Sequence, residues 1–296
     1  MTTQTELFAH FGIKDTSGII KGVTYNKVKD ILESMIADHS WVSFAGSIGS
    51  GKTVTVFEAL KELEKNEQVE FVEITSPNRR GIGDSELLCS IIMRLGEKYD
   101  GSRSIPRSNI ARNHMVERIL AKAKTKGMTV VLVIDEAQEL KGDTFNIIKR
   151  FRDIKLLGTG NTLGVVMIGQ PNLVGLIEQN KEVSLRVRTY DFDYTKAEKT
   201  DLALHFSQGL LNEEQARVVA NKAVFDEYGK VTALSIESAI LNAMDNAYKV
   251  GNESLDLYHF EFQPQPRANK SKLRKKIEVK SGAAADVNEK INRQAS

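Results

Sequence analysis

Residues 46–53 read Gly46-Ser47-Ile48-Gly49-Ser50-Gly51-Lys52-Thr53, and no other stretch of the chain restricts its fold as tightly. The spacing Gly-x-x-x-x-Gly-Lys-Thr is that of a loop wrapped around phosphate groups. Its glycines let the backbone curl until successive N–H groups converge on anionic oxygens. Lys52 brings a point charge to the β- and γ-phosphates, and the Thr53 hydroxyl is a ligand for Mg²⁺. Such a loop needs a buried strand before it and a helix after it, with the helix N-terminus facing the anion. Trp41-Val42-Ser43-Phe44-Ala45 supplies the strand run, and the helix begins within Val54-Thr55-Val56-Phe57-Glu58-Ala59-Leu60. Residues 46–53 and Val54 are therefore the expected nucleotide contacts.

The rest of the pattern predicts an α/β fold with a parallel sheet flanked by helices. Apolar runs at Trp41, Val69, Val130 and Leu163 alternate with helical spacings, which is the signature of strands covered on both faces. A helix is expected over 24–38, a strand over 69–74, and a helix capped by Asp84 or Ser85 running through Leu87, Leu88, Ile91, Ile92 and Leu95. Residues 99–109 read as a loop, and residues 110–124 as a helix ending near Gly127. A further helix near 144–151 precedes the strand at Leu163, and a short strand at 189–194 closes the sheet. From 195 to about 250 only helical spacing remains. The expected organisation is a lead (1–22), a nucleotide-binding core (23–194), a small helical lid (195–260) and a basic mobile tail (261–296). The tail carries Arg267, Lys270, Lys272, Arg274, Lys275, Lys276 and Lys280.

Composition matters mainly for what it excludes. Cys89, the single cysteine of 296 residues, lies among apolar neighbours and reads as a buried core thiol, so no disulfide framework is expected. The histidines are scattered, which leaves Mg²⁺ as the only expected metal. No apolar run approaches the roughly 20 residues of a membrane span, and the N-terminus lacks a signal-peptide pattern, so a cytoplasmic protein without membrane partners is expected.

Val130-Val131-Leu132-Val133-Ile134-Asp135-Glu136 is an apolar strand ending in two acids. Asp135 is placed to hold Mg²⁺, directly or through water, and Glu136 to take the proton of an attacking water. The adjacency of the two acids favours water as the acceptor over a small metabolite, which is what a P-loop kinase would require. No Asn-Lys-x-Asp guanine signature occurs, so ATP is preferred to GTP. Gln170, ending the next strand, either orients the lytic water or reports the phosphate state, or else is a turn residue before Pro171. Arg186 and Arg188 either complete a phosphate site in a neighbouring subunit or are surface arginines.

Taken together, residues 46–53, 130–136, 165–170 and the Arg186/Arg188 pair resemble an AAA+ ATPase. Within that group, Leu132-Val133-Ile134-Asp135-Glu136-Ala137-Gln138-Glu139-Leu140 and Val166-Met167-Ile168-Gly169-Gln170-Pro171-Asn172-Leu173 are similar to the transposition-regulator branch, which includes the phage Mu B protein and the Tn7-type C regulator. The resemblance covers roughly residues 24–250. It implies that Gln170 is the phosphate sensor and that Arg186 or Arg188 is the trans-acting finger. It further implies ATP-dependent helical filaments or rings on double-stranded DNA, and recruitment of a transposase. A secretion-associated or replication-initiator-like ATPase is the rival within the same fold. The chain departs from the branch near Ser235, where a lid arginine is often found and only Lys230 is nearby. It also has a lead too short for the full N-terminal helix-turn-helix domain of the Mu protein.

Arg79 and Arg80, which follow the second strand, occupy the place where such regulators present basic residues to DNA. Ser102, Arg103 and Ser104, with Arg107, form a second candidate. Phosphate contact by such groups is sequence-indifferent and salt-sensitive. A solvated basic turn is the alternative reading. The basic tail likewise either adds DNA affinity, binds a partner or is inert.

Overall fold

The computed structural model describes residues 3–13, 19–65, 68–74, 81–102, 104–152, 163–226 and 228–262. Arg79, Arg80, Arg103 and the basic residues of the tail lie outside that set.

Helix α1 (Gln4–Phe11) precedes α2 (Val23–Asp38), strand β1 (Trp41–Ala45), α3 (Lys52–Leu63) and β2 (Val69–Ile74). Then come α4 (Asp84–Asp100), α5 (Asn109–Thr125), β3 (Thr129–Ile134), α6 (Gly142–Arg152) and β4 (Leu163–Gly169). Two short helices, α7 (Asn172–Gln179) and α8 (Lys181–Ser184), lead to β5 (Val187–Asp191). The remaining helices are α9 (Lys196–Ser207), α10 (Glu213–Lys222) and α11 (Ala233–Lys249). The strands form one parallel sheet in the order β2-β3-β4-β1-β5. This is the α/β architecture that the alternation of apolar runs predicts.

Both faces of the sheet are buried, and alternate side chains feed two cores. Val42, Phe44, Val131, Val133, Val166 and Ile168 pack on one face with α2, α3 and the C-terminal helices. Trp41, Val130, Leu132, Ile134, Val165 and Met167 pack on the other with α4 to α7. Burial on both faces explains why the strands read as continuous apolar runs rather than as alternating ones. Trp41 is fully buried in the second core as a strand residue.

Four expectations need correction. Asp84 and Ser85 do not cap α4; they lie inside it. The cap is Gly83, whose N–H donates to the Glu86 carboxylate at 3.1 Å. Cys89 is half-buried rather than a core residue, because it falls off the face that Leu88 and Ile92 present to the sheet. The loop expected to begin at Tyr99 starts two residues later, at Gly101, which caps α4 in the left-handed conformation. The last strand starts at Val187, not Thr189, so Arg188 is a strand residue.

Helices α4 and α5 run side by side in the same direction. Arg112 in the first turn of α5 donates to Ser85 Oγ in the first turn of α4 at 2.7 Å, and Arg118 and Lys122 meet Asp100 at the far end. The connection between them must therefore climb back along a 17-residue helix, about 25 Å at 1.5 Å per residue.

Candidate functional site

The phosphate-type loop leaves β1 at Ala45 and enters α3 at Lys52. Gly49 (φ 72°) and Gly51 (φ 88°) occupy the left-handed region, which a side chain would disfavour. Gly51 also lacks room: a Cβ built there would lie 2.9 Å from the Tyr194 ring. At Gly49 a Cβ would lie 2.6 Å from Leu234 Cβ. The glycines thus shape the loop and also let the residues after β5 and the start of α11 close onto it.

The polar groups of this loop are buried and under-partnered. Lys52 is only 6% exposed, and its ammonium donates to the Ser47 carbonyl at 3.3 Å. Burial holds its pKa below the usual lysine value, against the opposing pull of Glu136 and Asp135. Ser50 Oγ is buried with no hydrogen-bond partner among the described residues. Asp135 Oδ1 accepts from Thr53 Oγ1 at 3.3 Å and from the Glu136 N–H at 2.9 Å. Burial nevertheless raises the Asp135 carboxyl above its ordinary value. A depressed cation, a raised carboxyl and an orphaned hydroxyl form a donor set that fits a phosphate group with a hard divalent cation. In that arrangement Thr53 and Asp135 would hold Mg²⁺, which would supply charge to the phosphate oxygens.

A cleft of about 350 Å³ opens from this loop. Ile48, Gly49, Gly51, Lys52, Thr53, Val54 and Glu136 line its polar end. Ile19 and Ile20, Tyr194, and Leu202 and Phe206 of α9 make its apolar walls, and Ala233, Leu234 and Glu237 of α11 close it. Polar groups at one end and an apolar slot at the other suit a nucleotide with its base in the slot. The apolar wall was not legible in the sequence, because its parts come from three distant segments.

The lid-like helices meet the loop through Leu234, whose N–H donates to the Gly49 carbonyl at 3.0 Å. Ser235, at the place where an arginine is often found, forms the capping box of α11 with Thr232. Lys230 pairs with Asp191 at 3.3 Å. The described lining residues of the cleft include no arginine.

Gln170 follows β4, between β3 and β1 in the sheet. It is half-buried and does not line the cleft. Its N–H donates to Gln138 Oε1 at 3.1 Å, and Gln138 Nε2 donates to the Glu136 carboxylate. Gln138 carries no expected role in the sequence reading. Its one sequence signal is its spacing, two residues beyond the acid.

Arg186 and Arg188 are not brought to this cleft. Val187 is in register with Trp41, so both arginines sit at the end of the sheet where β1 begins. The loop lies at the other end, at least about 13 Å away at 3.3 Å per strand residue. Arg186 Nη1 donates to the Glu182 carbonyl at 3.3 Å, and Arg188 stands 3.8 Å from Asp38.

Ser102 lies at the far end of α4 from Gly81, the first described residue after Arg79 and Arg80. The Ser104 N–H donates to Ser102 Oγ at 3.1 Å. Only the other end of that connection returns, where Arg112 Nε donates to the Pro106 carbonyl at 2.7 Å.

Sheet order, loop and paired acids together make an α/β core with a phosphate-type loop at the end of β1. Residues 38–177 match the family model described as an AAA domain. The fold is similar to Cdc6p from Pyrobaculum aerophilum, 15% identical, with a TM-score of 0.59 over 84% of this chain and 68% of that one. It is also similar to the Aeropyrum pernix ORC2 protein, solved as ADPNP–ADP complexes, at 12% identity, with a TM-score of 0.58 over 82% of this chain and 66% of that one. The Aeropyrum pernix ORC1 protein, solved in complex with DNA, is 16% identical, with a TM-score of 0.54 over 86% of this chain and 67% of that one. The chain spans about two thirds of the length of these structures. No curated protein matches the sequence. Among the described residues no helix is long and apolar enough to cross a membrane.

Proposed function

We propose that this chain is an ATPase that assembles on double-stranded DNA and regulates transposition, recruiting or activating a transposase and releasing DNA on hydrolysis. The observation that carries the enzymatic part is the convergence of Lys52, Thr53 and Glu136 on one cleft, with Asp135 hydrogen-bonded to Thr53 behind it. Lys52 and the loop amides hold the β- and γ-phosphates. Glu136 takes a proton from water as the water oxygen bonds to the γ-phosphorus and the bond to the β–γ bridging oxygen breaks, giving ADP and phosphate. Arg186 and Arg188, remote from the cleft of their own chain, are assigned to the site of a neighbouring subunit, so the active unit is a filament or ring. DNA contact is assigned to Arg79 and Arg80, with the Ser102–Arg103–Ser104 segment as a second surface. The transposase partner rests on the resemblance of residues 132–140 and 166–173.

A second reading is replication-initiator-like, and the likeness of the fold to Cdc6p and the ORC proteins favours it. One experiment separates the two. The full chain is imaged with long duplex DNA and a slowly hydrolysed ATP analogue, and Glu136→Gln is imaged with ATP. Regulation of transposition predicts continuous assemblies that lengthen with the DNA whatever its sequence. The initiator-like reading predicts discrete complexes at preferred sequences. Failure to form any ATP-dependent DNA complex at low salt sinks both.

A further inference from the structure

We propose that Gln138 is a positioning residue for Glu136, tying the acid to the end of β4 through a single carboxamide. The inference rests on Glu136 being the base of the hydrolysis proposed above. Glu136 is exposed, and among the described residues Gln138 is the hydrogen-bond partner of its carboxylate. A glutamate on the surface samples several rotamers; one held through its carboxylate presents a fixed oxygen.

The polarity of the amide fits this place in one orientation. Its oxygen faces the Gln170 N–H and its NH₂ faces a carboxylate. A reversed amide would set donor against donor and oxygen against oxygen.

The surroundings keep this side chain in place. Ala137–Glu139 is a tight 3₁₀ turn in which the Glu139 N–H donates to the Glu136 carbonyl at 2.8 Å. Ala137 is fully buried beneath it. On the far side Ile82 and Leu140 form a parallel bridge, with the Ile82 N–H donating to the Glu139 carbonyl at 2.9 Å and the Lys141 N–H to the Ile82 carbonyl at 3.1 Å. Gly169 leaves the space that the amide uses: a Cβ there would lie 2.5 Å from Gln138 Oε1. A bare Cα at the last residue of β4 is thus part of the same device. Through it, a shift of the β4 end reaches Glu136 by two hydrogen bonds.

The test compares the full chain with Gln138→Leu, Gln138→Glu and Gly169→Ala, each checked for an unchanged circular-dichroism spectrum. Gln138→Leu keeps the bulk and removes both bonds, and should lower kcat by about 10- to 100-fold, the range expected for a lost hydrogen bond to a charged group. KM and the affinity for a fluorescent ATP analogue should stay within about twofold, since Gln138 does not line the cleft. Gln138→Glu sets carboxylate against carboxylate and should lower kcat at least as far. Gly169→Ala should reproduce the Gln138→Leu pattern from the opposite side of the amide. A kcat within about twofold of wild type in Gln138→Leu overturns the proposal, and so does a parallel loss of nucleotide affinity. A second measurement needs no turnover. The side-chain amide signal of Gln138 in the ¹⁵N spectrum should move on Glu136→Ala, and its failure to move overturns the contact itself. Absence of ATPase activity in the wild type strikes instead at the role given to Glu136, and the amide signal then decides the contact alone.

Discussion

Glu198 is a buried carboxylate at the joint between the sheet-bearing part of the chain and the C-terminal helices, and replacing it tests how that joint is held. It is 3% exposed. Its Oε1 accepts from the Thr24 N–H at 2.7 Å. Its Oε2 accepts from Thr24 Oγ1 at 2.7 Å, the Thr195 N–H at 2.9 Å and Thr195 Oγ1 at 2.8 Å. One side chain therefore closes the capping box of α9 and also pins the first turn of α2. Glu198→Ala leaves two backbone N–H groups without an acceptor, while the two hydroxyls can turn elsewhere. At roughly 1–3 kcal/mol for each buried donor left unpaired, partly offset by water entering the space, the loss is about 3 kcal/mol. At about 2–4 °C per kcal/mol that lowers the melting midpoint by roughly 6–12 °C. Gly22→Ala should act in the same direction while leaving residue 198 unaltered, because a Cβ there would lie 2.6 Å from Glu198 Oε1 and displace the carboxylate. The pH dependence adds a signed test. Burial alone pushes the Glu198 carboxyl up, but the Thr24 and Thr195 donors outweigh it and the net shift is downward. A folded-state value below the unfolded one gives stability that is fully present above the unfolded pKa of about 4.3. That stability is lost as pH falls further, through the depressed folded value. The difference between wild type and Glu198→Gln, read by urea unfolding, should thus stay constant from neutral pH to about pH 5 and shrink below about pH 4. A loss under about 1 kcal/mol in Glu198→Ala, or a difference that does not shrink in acid, refutes the reasoning.

Two further outcomes follow from the cleft. Gly49→Ala, strained at φ 72° and crowded by Leu234, should weaken nucleotide binding at least about tenfold; adding Leu234→Ala should recover part of that loss, and no recovery in titration calorimetry would remove the lid contact from the explanation. Subunits carrying Arg188→Ala or Arg186→Ala, inactive alone, should regain ATPase activity when mixed with inactive Lys52→Ala subunits if that arginine acts across an interface; unchanged activity of the mixtures would count against both as trans residues.

The parts of this molecule that repeat along the chain were legible in its sequence. Val130 to Ile134 announced a strand because both faces of the sheet are covered, and the residue set 46–53 announced its own turn because the left-handed backbone at Gly49 and Gly51 leaves few other choices. What could not be read are contacts between segments that share no local pattern. Ile19, Tyr194, Phe206 and Leu234 meet around one cleft only because α9 and α11 come back to the loop that follows β1, and no periodicity carries that. Arg188 reads as a residue of a connecting segment until its register with Val42 makes it a strand residue. Ser102 and Gly81 look close along the chain, but a 17-residue helix lies between them.

At Glu136 chemistry and local backbone preference pull in opposite directions. Its backbone sits at φ 49° and ψ 42°, a left-handed conformation that costs a non-glycine residue about 1–2 kcal/mol. Glycine or asparagine would occupy that position more easily, so local propensity argues against glutamate there. The surrounding bonds impose the conformation. Asp135 Oδ1 accepts the Glu136 N–H, the Glu136 carbonyl accepts from Glu139, and the Gln138 amide takes the carboxylate. Each of those bonds links Glu136 to a residue within three positions of it, so the strain is held locally, and Asp135 Oδ1 carries it on to Thr53 at the start of α3. In the proposed site, a cation drawing on Thr53 and Asp135 would pull on the backbone N–H that keeps Glu136 in its strained turn. The acid and the phosphate-type loop thus share one carboxylate oxygen, and the cost of Glu136's left-handed backbone is of the size of a single hydrogen bond.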